Sequence, residues 1–225
     1  MGINQFTLIE KKYLTSDVFE LIYESKDDFE ILPGQFITFL LPKTGFGRAY
    51  SVLGTQGKNI SFIIKRLENG RGGSKEICDY DLGITLKGVG PTGHFIDSKK
   101  ENNKLYIGTG TGMVPLYFLV NDLLKKGFQH TLTLVLGNRT FEDMYYLEKF
   151  QQLKDEFSNF DFHIFLSREN KDGFQNGYVG DFLTPENIEK FQEFYICGNP
   201  NMVDEVEKKL KNVGVGDENI FREKY

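Results

Sequence analysis

Between Gln5 and Phe95, apolar and polar residues alternate in short runs at positions 6–14, 18–23, 35–41, 50–53, 60–67 and 84–89. A period of two with β-branched and aromatic enrichment predicts strands, each burying one face. Turn signals separate them at Pro33-Gly34, Thr44-Gly45, Gln56-Gly57 and Gly90-Pro91. Only positions 74–80 read as a helix. Six strands and one helix predict a small antiparallel barrel.

Beyond the polar stretch 97–103 the texture changes. Apolar strands at 105–108, 131–137, 162–167 and 194–197 alternate with helical patterns at 114–126, 141–157, 185–191 and 202–213, and a final strand takes in 220–225. Strands alternating with helices predict a parallel sheet. The expected organisation is a β-barrel domain over 1–98 followed by an α/β, Rossmann-like domain over 99–225.

The chain has 225 residues, enough to bury a core in each half, and a formal charge of -5 that argues against nucleic acid as a partner. Its two cysteines, Cys78 and Cys197, are too few for a disulfide framework or for a zinc or iron-sulfur ligand set, so no metal is expected. The first thirty residues contain no uninterrupted apolar stretch, which sets a cytoplasmic, membrane-free protein as the expectation. Nothing in the sequence fixes an oligomeric state.

Candidate chemistry gathers in four motifs. Gly108, Thr109, Gly110, Thr111 and Gly112 lie between a predicted strand and a helix beginning near Pro115, where small residues let a pyrophosphate approach unsatisfied helix N–H groups. Met113 stands where the third glycine of the dinucleotide fingerprint belongs, and a ligand-free strand-to-helix turn is an equal reading of this motif taken alone. Cys197 and Gly198 end a later strand at the same edge, the glycine leaving room for a planar ring beside the sulfur; a buried structural cysteine is the alternative.

In the first half, Arg48, Ala49, Tyr50 and Ser51 place a cation, an aromatic and a hydroxyl on one strand. Arg48 and Tyr50 share a face, and Ser51 points to the other. Such a strand can hold a phosphate, cover a flat ring and hydrogen-bond a ring nitrogen, or simply pack its tyrosine and expose its arginine. Gly72, Gly73 and Ser74 can present amides to a further phosphate group, or form a flexible hairpin loop. Arg139 and Arg168 follow the second and third strands of the second half, where no carboxylate stands to bind a ribose 2′-hydroxyl. They tilt the coenzyme expectation toward NADP(H) over NAD(H), unless both are surface residues.

The order of these motifs, R-x-Y-S, then G-G-S, then G-T-G-T-G-x-x-P, then C-G-N-P-x-M-V, resembles the ferredoxin-NADP reductase family of flavoproteins over nearly the whole chain, and bacterial ferredoxin or flavodoxin reductases in particular. The resemblance implies a Greek-key barrel that binds FAD and an α/β domain that binds NAD(P). By motif, Arg48 would bind the flavin pyrophosphate, Tyr50 would pack on the isoalloxazine, and Ser51 would hydrogen-bond near N5. Residues 108–112 would line the coenzyme with Cys197 and Gly198 beside the nicotinamide. Glu223 and Tyr225 match the family's proton-handling carboxylate and its aromatic cover for the flavin, a surface carboxylate being the alternative for Glu223; no residue declares itself as the adenine partner, and Phe95 is one candidate. The implied activity is hydride exchange between NAD(P)H and FAD, with single electrons passing to or from a ferredoxin or flavodoxin. A flavin reductase, the reductase component of an oxygenase, and a non-enzymatic flavin-binding electron-transfer or regulatory protein are the alternatives.

Overall fold

The computed structural model describes residues 2–225, in two compact units that divide between Asp97 and Ser98.

The first unit is a barrel-like antiparallel sheet of seven strands: β1 (Ile3–Tyr13), β2 (Val18–Ser25), β3 (Phe36–Leu40), β4 (Gly47–Ser51), β5 (Gly54–Gln56), β6 (Asn59–Lys65) and β7 (Thr85–Thr92). Their spatial order is β4-β3-β7-β1-β2-β6-β5. The late strand β7 returns to lie between β1 and β3, as a Greek-key connection does. Alternation brings one face of each strand inward, and Phe6, Tyr23, Phe39 and Phe62 meet there with ring centroids 4.9–6.0 Å apart. Tilted and edge-to-face pairs of this kind add to the burial of the rings themselves. Helix α1 (Gly73–Asp79) buries Ile77 and Cys78.

The second unit is a six-stranded parallel sheet of β8 (Lys104–Thr109), β9 (Leu132–Asn138), β10 (Phe160–Leu166), β11 (Gln175–Asn176), β12 (Glu193–Gly198) and β13 (Ile220–Lys224). The order is β11-β10-β9-β8-β12-β13. Strand order reverses between β8 and β12, and in open parallel sheets ligands bind at the carboxyl edge of that switch point. Helix α2 (Met113–Lys125) buries Leu116, Leu119 and Val120 among others, and α5 (Pro200–Asn212) buries Val203, Val206 and Leu210 at helical spacing. Asn199 starts α5 by accepting a hydrogen bond from the Asn201 N–H, and Pro200 follows where its missing N–H costs nothing.

Several elements differ from the expectation. The helix expected over 141–157 is broken: a 3-10 turn spans Phe141–Asp143, and α3 begins only at Leu147 and runs to Glu156. Thr140 and Asp143 close a capping box around that first turn, and Tyr146 takes a left-handed conformation (φ 67°) that no α-helix continues through. The helix expected over 185–191 is the four-residue α4 (Pro185–Ile188). Another 3-10 turn fills Gly110–Gly112, so α2 starts two residues before Pro115. The strand expected over 50–53 is β4, displaced three residues towards the N-terminus by its pairing with β3.

Nor is the polar stretch after Asp97 a loose connector. The Ser98 N–H donates to the Tyr195 hydroxyl (3.0 Å), and the Ser98 hydroxyl donates to Glu193 (2.8 Å). Glu193 forms an ion pair at 2.5 Å with Lys104, and both side chains are fully buried. Tyr106, Tyr195 and Phe221 stack in sequence across β8, β12 and β13, with centroids 5.0 and 4.5 Å apart. Among the described residues no helix is long and apolar enough to cross a membrane, and no group of three or more His, Cys, Asp or Glu is placed to hold a metal ion.

Candidate functional site

In the first unit, β4 carries Arg48 and Tyr50 on one face, both half-buried, while Ser51 turns inward at 7% exposure. Gly73, distant in sequence, packs against Arg48 so closely that a Cβ there would lie 2.7 Å from Nε. Two of the four motifs therefore form one structure. Gly72 introduces α1 in a left-handed conformation, and the Ser74 hydroxyl accepts from the Leu67 N–H (3.1 Å), closing the 67–74 loop on itself. Beneath it, the buried Glu76 carboxylate accepts from the backbone N–H groups of Lys43 (2.8 Å) and Thr44 (2.7 Å) and from the Tyr80 hydroxyl. Burial alone would push its pKa up; the bonds from Tyr80, Thr44 and Lys43 outweigh that and hold it below the usual carboxylate value.

Three buried polar atoms line this junction without a hydrogen-bond partner: Arg48 Nη2, Tyr50 Oη and Thr44 Oγ1. Arg48 spends Nη1 on the Gly47 carbonyl (2.9 Å) and lays its guanidinium over the Phe46 ring at 4.4 Å. Burial, reinforced by Cys78, pushes the Tyr50 pKa up, so its hydroxyl stays protonated and able to donate. A buried orphan group costs about 1–3 kcal/mol, so a ligand that partnered these atoms would be favoured here. A phosphate on Arg48 and hydroxyl-bearing or carbonyl groups near Tyr50 and Thr44 would satisfy them, so these residues fit a flavin dinucleotide. Thr44 and Glu76 escaped the sequence analysis, where Thr44-Gly45 signalled only a turn. Phe95 is 4% exposed and offers no free face for adenine.

In the second unit the glycine turn and the Cys197-Gly198 strand end flank the switch point. Gly112 sits against main chain: a Cβ there would lie 2.2 Å from the Cys197 carbonyl oxygen. Gly198, at φ +139°, leaves equally little room, with Thr109 Oγ1 2.5 Å from its would-be Cβ. The Thr109 hydroxyl accepts from the Asn199 N–H (3.2 Å), tying the turn to the start of α5. Gly110 (φ +54°) faces open space, as the approach of a ligand requires.

Register pairs Cys197 with Glu223 across β12 and β13, and the Tyr225 N–H donates to the Gly198 carbonyl (3.1 Å). Burial, with the Glu223 charge adding to it, pushes the Cys197 thiol well above its ordinary value and outweighs a hydrogen bond with the Tyr225 side chain. Cys197 is therefore a neutral, fully buried thiol and not a thiolate nucleophile. Tyr225, half-exposed, lies against it. Cys197 and Gly198 thus meet the glycine turn, and Glu223 and Tyr225 flank them from β13 at the same edge of the sheet.

Arg139 and Arg168 are exposed on neighbouring strand ends, linked by the Arg168 N–H to the Arg139 carbonyl (2.9 Å). Glu169 turns back to accept from the Phe141 N–H (2.7 Å), which fixes the 3-10 turn beside them.

Residues 106–208 match the oxidoreductase NAD-binding domain family. A component of the Na(+)-translocating NADH-quinone reductase of Neisseria meningitidis is 34% identical over 141 residues, 59% of this chain and 35% of that protein. The toluate 1,2-dioxygenase electron transfer component of Pseudomonas putida is 26% identical over 203 residues, 89% of this chain and 60% of its own length. The chain thus spans between about a third and three fifths of these relatives. A ferredoxin NADP+ reductase from Neisseria gonorrhoeae, solved with bound FAD and NADP, superposes with a TM-score of 0.86 at 18% identity, covering 100% of this chain and 99% of that one.

Proposed function

We propose that this protein, whose residues 106–208 match the oxidoreductase NAD-binding domain family and whose two-domain fold is that of a solved ferredoxin NADP+ reductase, is a flavin-dependent NAD(P)H oxidoreductase that exchanges electrons with a ferredoxin or flavodoxin. The observation that carries the reading is the trio of unpartnered buried atoms on Arg48, Tyr50 and Thr44. A bound flavin supplies hydride exchange with nicotinamide and one-electron exchange with a carrier. The first unit holds FAD: Arg48 binds its pyrophosphate with the amides of Gly72, Gly73 and Ser74, Ala49 and Tyr50 line the ring, and Ser51 handles the N5 proton.

In the second unit Gly108, Thr109, Gly110, Thr111 and Gly112 cradle the coenzyme pyrophosphate. Cys197 and Gly198 present a flat, neutral surface to the nicotinamide, and Tyr225 must swing off Cys197 to uncover it. Glu223 is the carboxylate for proton transfer. Arg139 and Arg168 favour NADP(H).

The reductase component of an oxygenase is the second reading, favoured by the Pseudomonas relative that aligns with 89% of this chain. Anaerobic addition of NADPH or NADH, read by flavin absorbance and followed by ferredoxin, flavodoxin or an oxygenase ferredoxin, tests cofactor, coenzyme and carrier together. Bleaching by NADPH with reoxidation by ferredoxin or flavodoxin is the expected result. A flavin that neither coenzyme bleaches would refute the enzyme.

A further inference from the structure

On the second unit, away from the glycine turn, the crossover from β10 to β12 has as helical cover only the four-residue α4 and a short 3-10 turn at Val179–Phe182, besides the two-residue edge strand β11. One face of the sheet is left uncovered toward the N-terminal ends of β9 and β10. A cavity of about 720 Å³ opens there, a volume typical of small-molecule sites. The strands that floor it are polar where central strands are ordinarily apolar: Thr133 on β9, and Asp161 and His163 on β10, neighbours by register. Phe165 and Phe191, both core residues, back the cavity, and the partly buried Phe182 lines it with its ring 4.8 Å from that of His163.

The hydrogen-bonding inventory of this cavity is lopsided. Asp161 is spent: Oδ1 receives Lys154 (2.6 Å) and the Phe162 N–H (2.8 Å), and Oδ2 faces His163 Nε2 at 3.5 Å. A neutral His163 that carries its proton on Nε2, the nitrogen facing the Asp161 carboxylate, offers Nδ1 as an acceptor. Burial lowers the His163 pKa, and Lys154 and Lys190 add to this against the opposing charge of Asp161, which keeps the ring neutral at physiological pH. Lys190 gives one proton to Asn187 Oδ1 (2.9 Å) and retains two donors. Asp181, at the rim, accepts from the Tyr178 N–H (2.8 Å). Two carboxylates beside the cavity disfavour a phosphorylated guest.

We propose that this cavity is a second ligand site, distinct from the coenzyme edge, that takes a flat, uncharged heterocycle with a lactam edge, of nucleobase or nucleoside size. His163 Nδ1 accepts the ring N–H, Lys190 donates to the neighbouring carbonyl, and Phe182, the one partly buried ring of the three, packs on one face of the heterocycle. The site needs no flavin or nicotinamide and stands independently of the proposed reductase activity.

The test is a titration of the full-length protein with uridine, adenosine and uridine monophosphate, followed by the imidazole NMR signals of His94, His130 and His163, the last assigned by its loss in His163→Gln. Uridine should move the His163 signal saturably and leave His94 and His130 in place. Adenosine and the monophosphate should bind at least about tenfold more weakly, the cost of one mismatched hydrogen bond. Lys190→Met, on the exposed rim where folding is not at stake, should weaken uridine by about tenfold. No shift at His163 with any probe, equal binding of adenosine, tighter binding of the monophosphate, or unchanged uridine affinity in Lys190→Met would each overturn the proposal.

Discussion

Replacing Gly112 with alanine sets two effects of opposite sign against each other. The backbone there is helical, with φ -60° and ψ -18°, so alanine fits the local conformation and, by restricting the unfolded chain, should stabilise by about 0.4–1 kcal/mol. Against this, the new Cβ would lie 2.2 Å from the Cys197 oxygen, 2.6 Å from its carbonyl carbon and 2.7 Å from the Gly198 Cα. All three are main-chain atoms of a buried strand end, so no side chain can rotate away. The turn and β12 must separate, and overpacking of this kind costs about 1–3 kcal/mol, occasionally more. With the cost at the upper end of that range, as a 2.2 Å overlap with main chain demands, the expected net result is a loss of about 2 kcal/mol. Gly110→Ala is the control: nothing lies within 4 Å, and only the left-handed φ of +54° is penalised, at about 1–2 kcal/mol. Urea unfolding without added nucleotide separates packing from binding and reads both variants on one scale. If Gly112→Ala unfolds within about 0.5 kcal/mol of the parent protein, the contact does not confine the turn and the reasoning is wrong.

Three further outcomes follow from the same geometry. Lys104→Met should cost up to about 3–5 kcal/mol by leaving the buried Glu193 only the Ser98 hydroxyl and the more distant, half-exposed Lys100 (3.6 Å), whereas Lys104→Met with Glu193→Leu should come out near neutral in the same urea assay; equal losses would remove the ion-pair argument. The His163 pKa is lowered from 6.5 in the folded state, so its contribution to stability is complete above that pH and declines as pH falls through the folded value; His163→Gln should flatten the stability profile there, and an unaltered profile would contradict the shift. Arg48→Met should weaken FAD retention on a desalting column by about 10- to 100-fold, matching the loss of a charge-assisted hydrogen bond, and undiminished retention would place the pyrophosphate elsewhere.

The two-part fold was legible because each half has its own hydrophobic period, and β1, β2 and α5 follow their patterns closely. What stayed hidden depended on contacts remote in sequence. The 141–157 pattern is apolar enough for one helix, yet the Glu169 carboxylate holds the Phe141 N–H from another strand end, and Tyr146 breaks the run. Residues 97–103 read as a linker since their polarity points to solvent, whereas Ser98 serves a buried ion pair whose members lie far apart in the chain. Within the candidate site, Arg48, Tyr50 and the glycine turns announced themselves by residue type and order. Thr44 did not, because an ordinary threonine in a turn carries no signal until its hydroxyl is found buried beside Gly72. The cavity under α4 was equally invisible, since only three dimensions reveal that a four-residue helix leaves a sheet face bare.

The stacked rings of Tyr106, Tyr195 and Phe221 also govern how the second unit assembles. β8 gains one neighbour, β9, early in the chain, but its other flank waits for β12, nearly ninety residues later. Closing so long a loop is entropically costly, and contacts of such separation slow folding. Until β12 arrives, the apolar run Leu105, Tyr106 and Ile107 presents an open strand edge. A folding chain is therefore most vulnerable to intermolecular strand pairing at the seam that becomes the edge proposed for the coenzyme.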